Sequence, residues 1–136
     1  MIKTSICTLL CILLSIAVTA QSKCSESKII GTWEYVNSYG YDIDPGIDSL
    51  IRKVDSSPEV VGIITYSADG KYAYKLLNHR YKSKGKFKLL EATCEIKYGR
   101  KQKRGPSILY LDDKYLITKG PTPKGDLIYF HRRKIN

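Results

Sequence analysis

The chain is poor in the residues that metal and nucleophilic catalysis draw on. It has two histidines, one methionine, one tryptophan and two phenylalanines in 136 residues. His79 and His131 have neither a second histidine nor a cysteine at metal-ligand spacing. There is no glycine-rich phosphate loop, no Gly-x-Ser-x-Gly elbow and no helical histidine pair. Asp42, Asp44 and Asp48 lack the glycine and the terminal bidentate acid of a calcium loop, and helix capping and dipole stabilisation account for the same acids. These absences leave no catalytic residue, no metal and no cofactor to name. The expectation is a protein that is not an enzyme. Acidic residues are also scarce: 13 Asp and Glu stand against 23 Lys and Arg, a formal charge of +10.

Long apolar runs are equally scarce, and the one present is too short to span a bilayer. Lys3 supplies a positive start, residues 5–18 are mostly apolar, and Val18-Thr19-Ala20 offers small residues for cleavage. That order reads as a secretory signal over residues 1–20, whereas a membrane span takes roughly 20 apolar residues. Residues 21–136 then form one domain, secreted or periplasmic, with no transmembrane segment. Cys7 and Cys11 leave with the signal, so Cys24 and Cys94 can pair only with each other or outside the molecule. An exported chain with two cysteines favours the bridge, which requires Cα atoms within about 7 Å.

Past the leader, short segments of alternating polarity run to the C-terminus. Residues 29–38 read as a first strand with Trp33 and Tyr35 on one face. Then the period changes: Ile47, Leu50, Ile51 and Val54 fall at i, i+3, i+4 and i+7, predicting a helix over 45–55. Asp44 stands at its N-cap, Pro45 at its first position, and Pro58 past its end. Such a helix covers one open end of a barrel or packs on its outside wall. Strands follow at 60–67, 71–77, 83–90, 92–98, 107–111, 115–119 and 126–133. Turn signals at Ala68-Asp69-Gly70 and Asp112-Asp113-Lys114 and a loop over 120–125 separate them. Cys94, Ile96 and Tyr98 share a face. Eight short strands in so short a chain predict an all-β, antiparallel up-and-down barrel, because closure removes the edge strands.

Gly31-Thr32-Trp33, then Tyr66-Ser67-Ala68-Asp69-Gly70-Lys71-Tyr72, Gly85-Lys86-Phe87 and Tyr129-Phe130-His131-Arg132-Arg133 follow one another in order. This order resembles the short exported lipocalin-like domains common in bacteria, and the resemblance spans nearly all of residues 21–136. It implies a barrel closed around something apolar, with the tryptophan at the closed end beneath an arginine of the last strand. Carried over, Gly31, Trp33 and Arg132 (or its neighbour Arg133) have a structural role. A desolvated cation–π contact of that kind is worth roughly 1–2 kcal/mol.

Two functional readings come from different classes. Tyr35, Tyr66, Tyr72, Tyr74, Phe87 and Tyr98 fall on strand faces that would line an interior, and tyrosine joins an apolar body to a polar tip. An open barrel lined this way would bind a small apolar or amphiphilic ligand. The alternative is a barrel packed solid that acts through a basic surface. Between Lys71 and Arg104 stand twelve Lys or Arg and two acids, Glu91 and Glu95. Lys82, Lys84, Lys86 and Lys88 alternate along one strand, and Arg100, Lys101, Lys103 and Arg104 form a basic loop. Such a patch attracts polyanions such as lipopolysaccharide or acidic glycans, or else is a solvated outer face. Nucleic acid ranks last because the chain reads as exported. An interior void of several hundred Å³ separates the two readings.

Overall fold

The computed structural model describes residues 24–40, 46–56, 59–99 and 105–135. The leader, Asp42, Asp44, Pro45, Pro58 and the basic segment Arg100, Lys101, Lys103 and Arg104 lie outside the described residues. A short helix α1 (Glu26–Ile29) leads into β1 (Gly31–Gly40), and helix α2 (Ile47–Ser56) follows. Next come β2 (Gly62–Tyr66), β3 (Lys71–Leu76), β4 (Lys82–Leu90) and β5 (Glu95–Tyr98). The chain ends with β6 (Ser107–Leu111), β7 (Tyr115–Thr122) and β8 (Gly125–Arg133). Each strand pairs antiparallel with the next, and β8 pairs with β1, giving a closed eight-stranded barrel. No helix among the described residues is long and apolar enough to cross a membrane.

Alternation places Trp33 and Tyr35, Ile64 and Tyr66, Phe87 and Leu89, and Leu116 and Thr118 on the interior face. In β6 a bulge between Ile108 and Tyr110 lets Ile108 and Leu111, three apart, both reach the core. The weakest seam is β5 against β6, held by a single residue pair, Glu95 and Ser107, and by flanking backbone bonds. Ile96 N–H donates to Pro106 O at 2.9 Å, and Ile108 N–H donates to Cys94 O at 2.7 Å. Gly105 permits that approach, since a Cβ there would stand 1.6 Å from Ile96 O.

One end of the barrel is shut. Trp33 is fully buried and its Nε1–H donates to Ile29 O at 2.8 Å, fixing the indole under α1. The arginine over the ring is Arg133, with its Cζ 4.3 Å from the ring centroid. Its guanidinium also donates to Lys28 O at 2.7 Å, Ile30 O at 3.0 Å and Asp113 O at 2.7 Å. Arg132, the residue named first from sequence, faces outward and pairs with Glu34 at 2.9 Å across the β1–β8 closure. The odd-numbered side chains of β8 point inward, so the register chooses Arg133. Gly31, at φ +131°, leaves room for it: a Cβ there would lie 2.4 Å from an Arg133 guanidinium nitrogen.

Cys24 and Cys94 form a disulfide with a Cα separation of 5.6 Å. Cys94 packs against the same core cluster as Ile96 and Tyr98 but, contrary to what its alternation suggested, it is not part of their strand. It sits in the Glu91–Cys94 turn at φ +54°, and β5 begins only at Glu95. The same turn contributes Glu91, whose carboxylate accepts the Glu26 N–H at 3.1 Å, so α1 is held to it at two points.

Helix α2 packs on the outside wall. Leu50 and Val54 are buried against Val36, Ile117, Ile128 and Phe130, outward-facing residues of β1, β7 and β8. Burying two such side chains contributes roughly 1.5–3 kcal/mol each, and Tyr115 adds a hydroxyl bond to Asp55 at 2.6 Å. The segment expected to be a loop over 120–125 is instead the β7–β8 hairpin. Pro121 pairs with Asp126 and Thr122 with Gly125, leaving a two-residue turn. β6 stops pairing at Lys119, so Pro121 sits where its missing N–H breaks no ladder on that side.

Candidate functional site

The other end of the barrel is open. The β3–β4 and β7–β8 connections lie there, and Tyr81, Pro106 and Pro121 line its mouth. Below lies a cavity of about 610 Å³. Of the two interiors weighed from the sequence, open or packed solid, the barrel is filled at the Trp33 end and hollow at the other.

The floor is aromatic. Tyr66 meets Phe87 edge-on at 4.8 Å and Tyr98 meets Tyr72 edge-on at 4.7 Å, spacings typical of favourable ring pairs. The Tyr66 and Tyr98 hydroxyls bond to each other, and Tyr72 OH bonds Ser83 Oγ at 3.0 Å. Gly85 opposes Tyr72 across β3–β4 and lets that ring lie flat; a Cβ would stand 3.3 Å from it. Nearer the mouth, Tyr35 lies 6.0 Å from Tyr129 and 5.4 Å from His131, and Tyr74 lies 6.2 Å from Tyr81. Of the six side chains expected to line a site, Tyr35, Tyr66, Tyr72, Tyr74 and Tyr98 do so. Phe87 does not; it supports Tyr66 from within the core.

Burial keeps these phenols neutral. It pushes Tyr74 and Tyr98 up to about 12 and Tyr66 well above the usual range. Burial also pushes His131 down to about 4, so its imidazole is neutral at physiological pH. Its Nδ1 stands 3.3 Å from Leu116 O. A carbonyl can only accept, so Nδ1 carries the proton and Nε2 is a free acceptor. Nε2 has no hydrogen-bond partner among the described residues, yet no buried side-chain polar atom is left unsatisfied. It is therefore open to the cavity that His131 lines. Among the described residues, no lysine, arginine, aspartate or glutamate lines that cavity.

Tyr81, Ser83, Thr118, Tyr129 and His131 are lining residues that sequence reasoning did not single out. The β8 pair had a usable signal, because Tyr129 and His131 share the period-two face of Arg133. Among the described residues, no three His, Cys, Asp or Glu side chains come together as a metal site would require. The four stripe lysines, Lys82, Lys84, Lys86 and Lys88, are all exposed on the outer face of β4, away from the cavity.

The fold and the cavity together define a small antiparallel barrel with one stapled end and one open, tyrosine-lined end. No protein-family model matches the chain, and no curated protein matches it. Among solved structures it is similar to a DUF4847 family protein from Bacteroides vulgatus, at 16% identity and a TM-score of 0.46. That likeness covers 82% of this chain and 98% of the other.

Proposed function

We propose that this protein binds, without chemistry, a small uncharged apolar or amphiphilic molecule in the open half of the barrel. The observation that carries the reading is the cavity itself: about 610 Å³, walled by tyrosine rings, with no charged side chain among its described lining residues. Ligand pockets run to roughly 300–1,000 Å³, mostly apolar with a few fixed polar groups. Ring faces suit a flat ligand, while the Ser83 and Thr118 hydroxyls and His131 Nε2 offer polar anchors. A charged ligand would lose hydration with no opposite charge to meet it among the described lining residues. The exported, lipocalin-like character of the sequence supports the same reading, as does a disulfide, which persists in oxidising compartments.

The test is uptake of N-phenyl-1-naphthylamine, a flat neutral dye with one N–H donor, followed by its fluorescence. The wild-type chain should enhance and blue-shift the emission saturably, and Ser83→Trp, which fills the cavity from β4, should abolish this while leaving the fold intact. Undiminished binding by Ser83→Trp would place the dye elsewhere and defeat the proposal. Native mass spectrometry of the protein from its own host should show a bound mass lost on denaturation.

A further inference from the structure

The outer wall opposite helix α2 carries an arrangement that the barrel's own stability does not ask for. In the β3–β4 register Lys71 lies directly across from Lys86 and Lys75 from Lys82, and in β4–β5 Lys88 lies across from Lys97. Like charges directly opposite one another on a sheet are destabilising. Lys84 completes the alternation along β4 and faces Ala73. From Lys82 to Lys88 the stripe runs about 20 Å at the rise of an extended strand. Acids touch it only toward the closed end: Asp69 lies 3.8 Å from Lys71, and Glu95 opens β5. The other six lysines have no salt-bridge partner among the described residues.

The wall is also grooved. Ala73, small between flanking lysines, leaves a hollow of about 440 Å³ over Ile63 and Thr65, rimmed by Lys75, Lys82 and Lys84. A linear chain can settle into this hollow with its anionic groups meeting the lysines on either side. The outward residues there are Lys, Ala, Thr and Ile; Tyr74 and Ser83 also line the hollow, but both belong to the barrel cavity, where the Tyr74 ring packs on Tyr81. Single-stranded nucleic acid binding relies on stacking platforms, and this face has none. The exposed apolar residues Leu77 and Tyr81 stand at the β3–β4 hairpin end, not along the stripe, so the face lacks the apolar contact a membrane surface uses.

We infer that the outer face of β3, β4 and β5 is a docking surface for an extended acidic polysaccharide, seated over Ala73 with its acid groups on Lys75, Lys82, Lys84 and Lys86. The surface is separate from the cavity, so it stands or falls independently of the ligand-binding proposal.

The test is fluorescence anisotropy of labelled oligogalacturonate, which carries a carboxylate on every sugar, in low-salt buffer. Lys82→Glu/Lys84→Glu/Lys86→Glu should weaken binding roughly tenfold or more, and added salt should weaken wild-type binding. The charge-matched control Lys114→Glu/Lys124→Glu/Lys134→Glu, at exposed positions elsewhere, should change it less than about twofold. Should the first triple misfold by circular dichroism, the glutamine triple at the same positions makes the same comparison. Equal weakening by the control, or tighter binding of phosphatidylglycerol vesicles or a single-stranded oligonucleotide than of oligogalacturonate, overturns the assignment. Uptake of the neutral dye by the stripe variant should match wild type.

Discussion

His131 makes the acid stability of the protein a direct readout of the cavity. Burial holds its ring neutral in the folded state down to about pH 4, whereas an unfolded chain takes up that proton near the ordinary value of 6.5. Between those limits the unfolded state binds more protons, so stability is fully present above pH 6.5 and falls as the pH drops toward 4. A shift of that size corresponds to about 3 kcal/mol at most, a large part of what a domain of this length has to spare. The backbone bond to Leu116 O works the other way, since the carbonyl accepts more strongly from the cationic ring than from the neutral one. Urea unfolding followed at a series of pH values should show the midpoint falling through this window in wild type. His131→Phe should be weaker at neutral pH by about 1 kcal/mol for the lost hydrogen bond, and the fall between pH 6.5 and 4 should shrink. With only two histidines in the chain, the proton resonances of His131 can be followed directly. A His131 titration midpoint near 6.5, or an unchanged acid slope in His131→Phe, would refute both the burial and the neutral acceptor drawn from it.

Other substitutions probe the two ends and the outer wall. Arg133→Ala removes the stack on Trp33 and three carbonyl contacts and should cost about 2–3 kcal/mol in urea unfolding. Arg132→Ala loses the part-buried pair with Glu34 and should cost less than the Arg133 change, about 1 kcal/mol; equal losses would contradict the register. Leu50→Ala should cost about 2–4 kcal/mol without changing dye uptake, since α2 lies on the wall; lost uptake at full folding would make α2 part of the mouth. Thiol titration of unreduced residues 21–136 should find no free thiol, and Cys24→Ser/Cys94→Ser should lose about 4 kcal/mol in the chain-entropy account of a loop with separation 70.

Strand order and the α2 stripe were legible because both are periodicities. Lys71 to Leu76 alternates residue by residue, and Ile47, Leu50, Ile51 and Val54 mark one helical face. A period states which face is apolar, not what it meets, so nothing in α2 itself decided between the open end and the outside wall. That answer lay in β7 and β8, where Ile117, Ile128 and Phe130 are outward yet apolar and demand a cover. The 120–125 segment misled because glycine and proline spell a turn whatever the neighbours are. Pro121 is tolerated in a strand only because β6 has already ended, a fact of pairing and not of composition. Cys94 misled for the opposite reason: the turn at Glu91–Cys94 contains neither glycine nor proline, so a strand pattern ran straight through it.

The placement of rigidity follows from the same contacts. At the shut end the disulfide, the Glu91 contact to α1, the Trp33 bond to Ile29 and the four Arg133 contacts all converge, and all but the Trp33 bond link segments distant in sequence. Between β5 and β6 the links are few: one residue pair, Glu95 and Ser107, stands next to the Cys94 staple, and the cavity residues Tyr98 and Pro106 lie on the open side of it. Local opening is drawn from regions with few such links. A ligand too large for the mouth would therefore enter through the β5–β6 seam, not past the stapled end. Amide exchange should be fastest at Ile96 and Ile108 among the strand residues, because their N–H groups make the seam's two backbone bonds, and it should slow there when the neutral dye binds. Slow exchange at the seam in the free protein, with no change on binding, would leave the mouth as the route of entry.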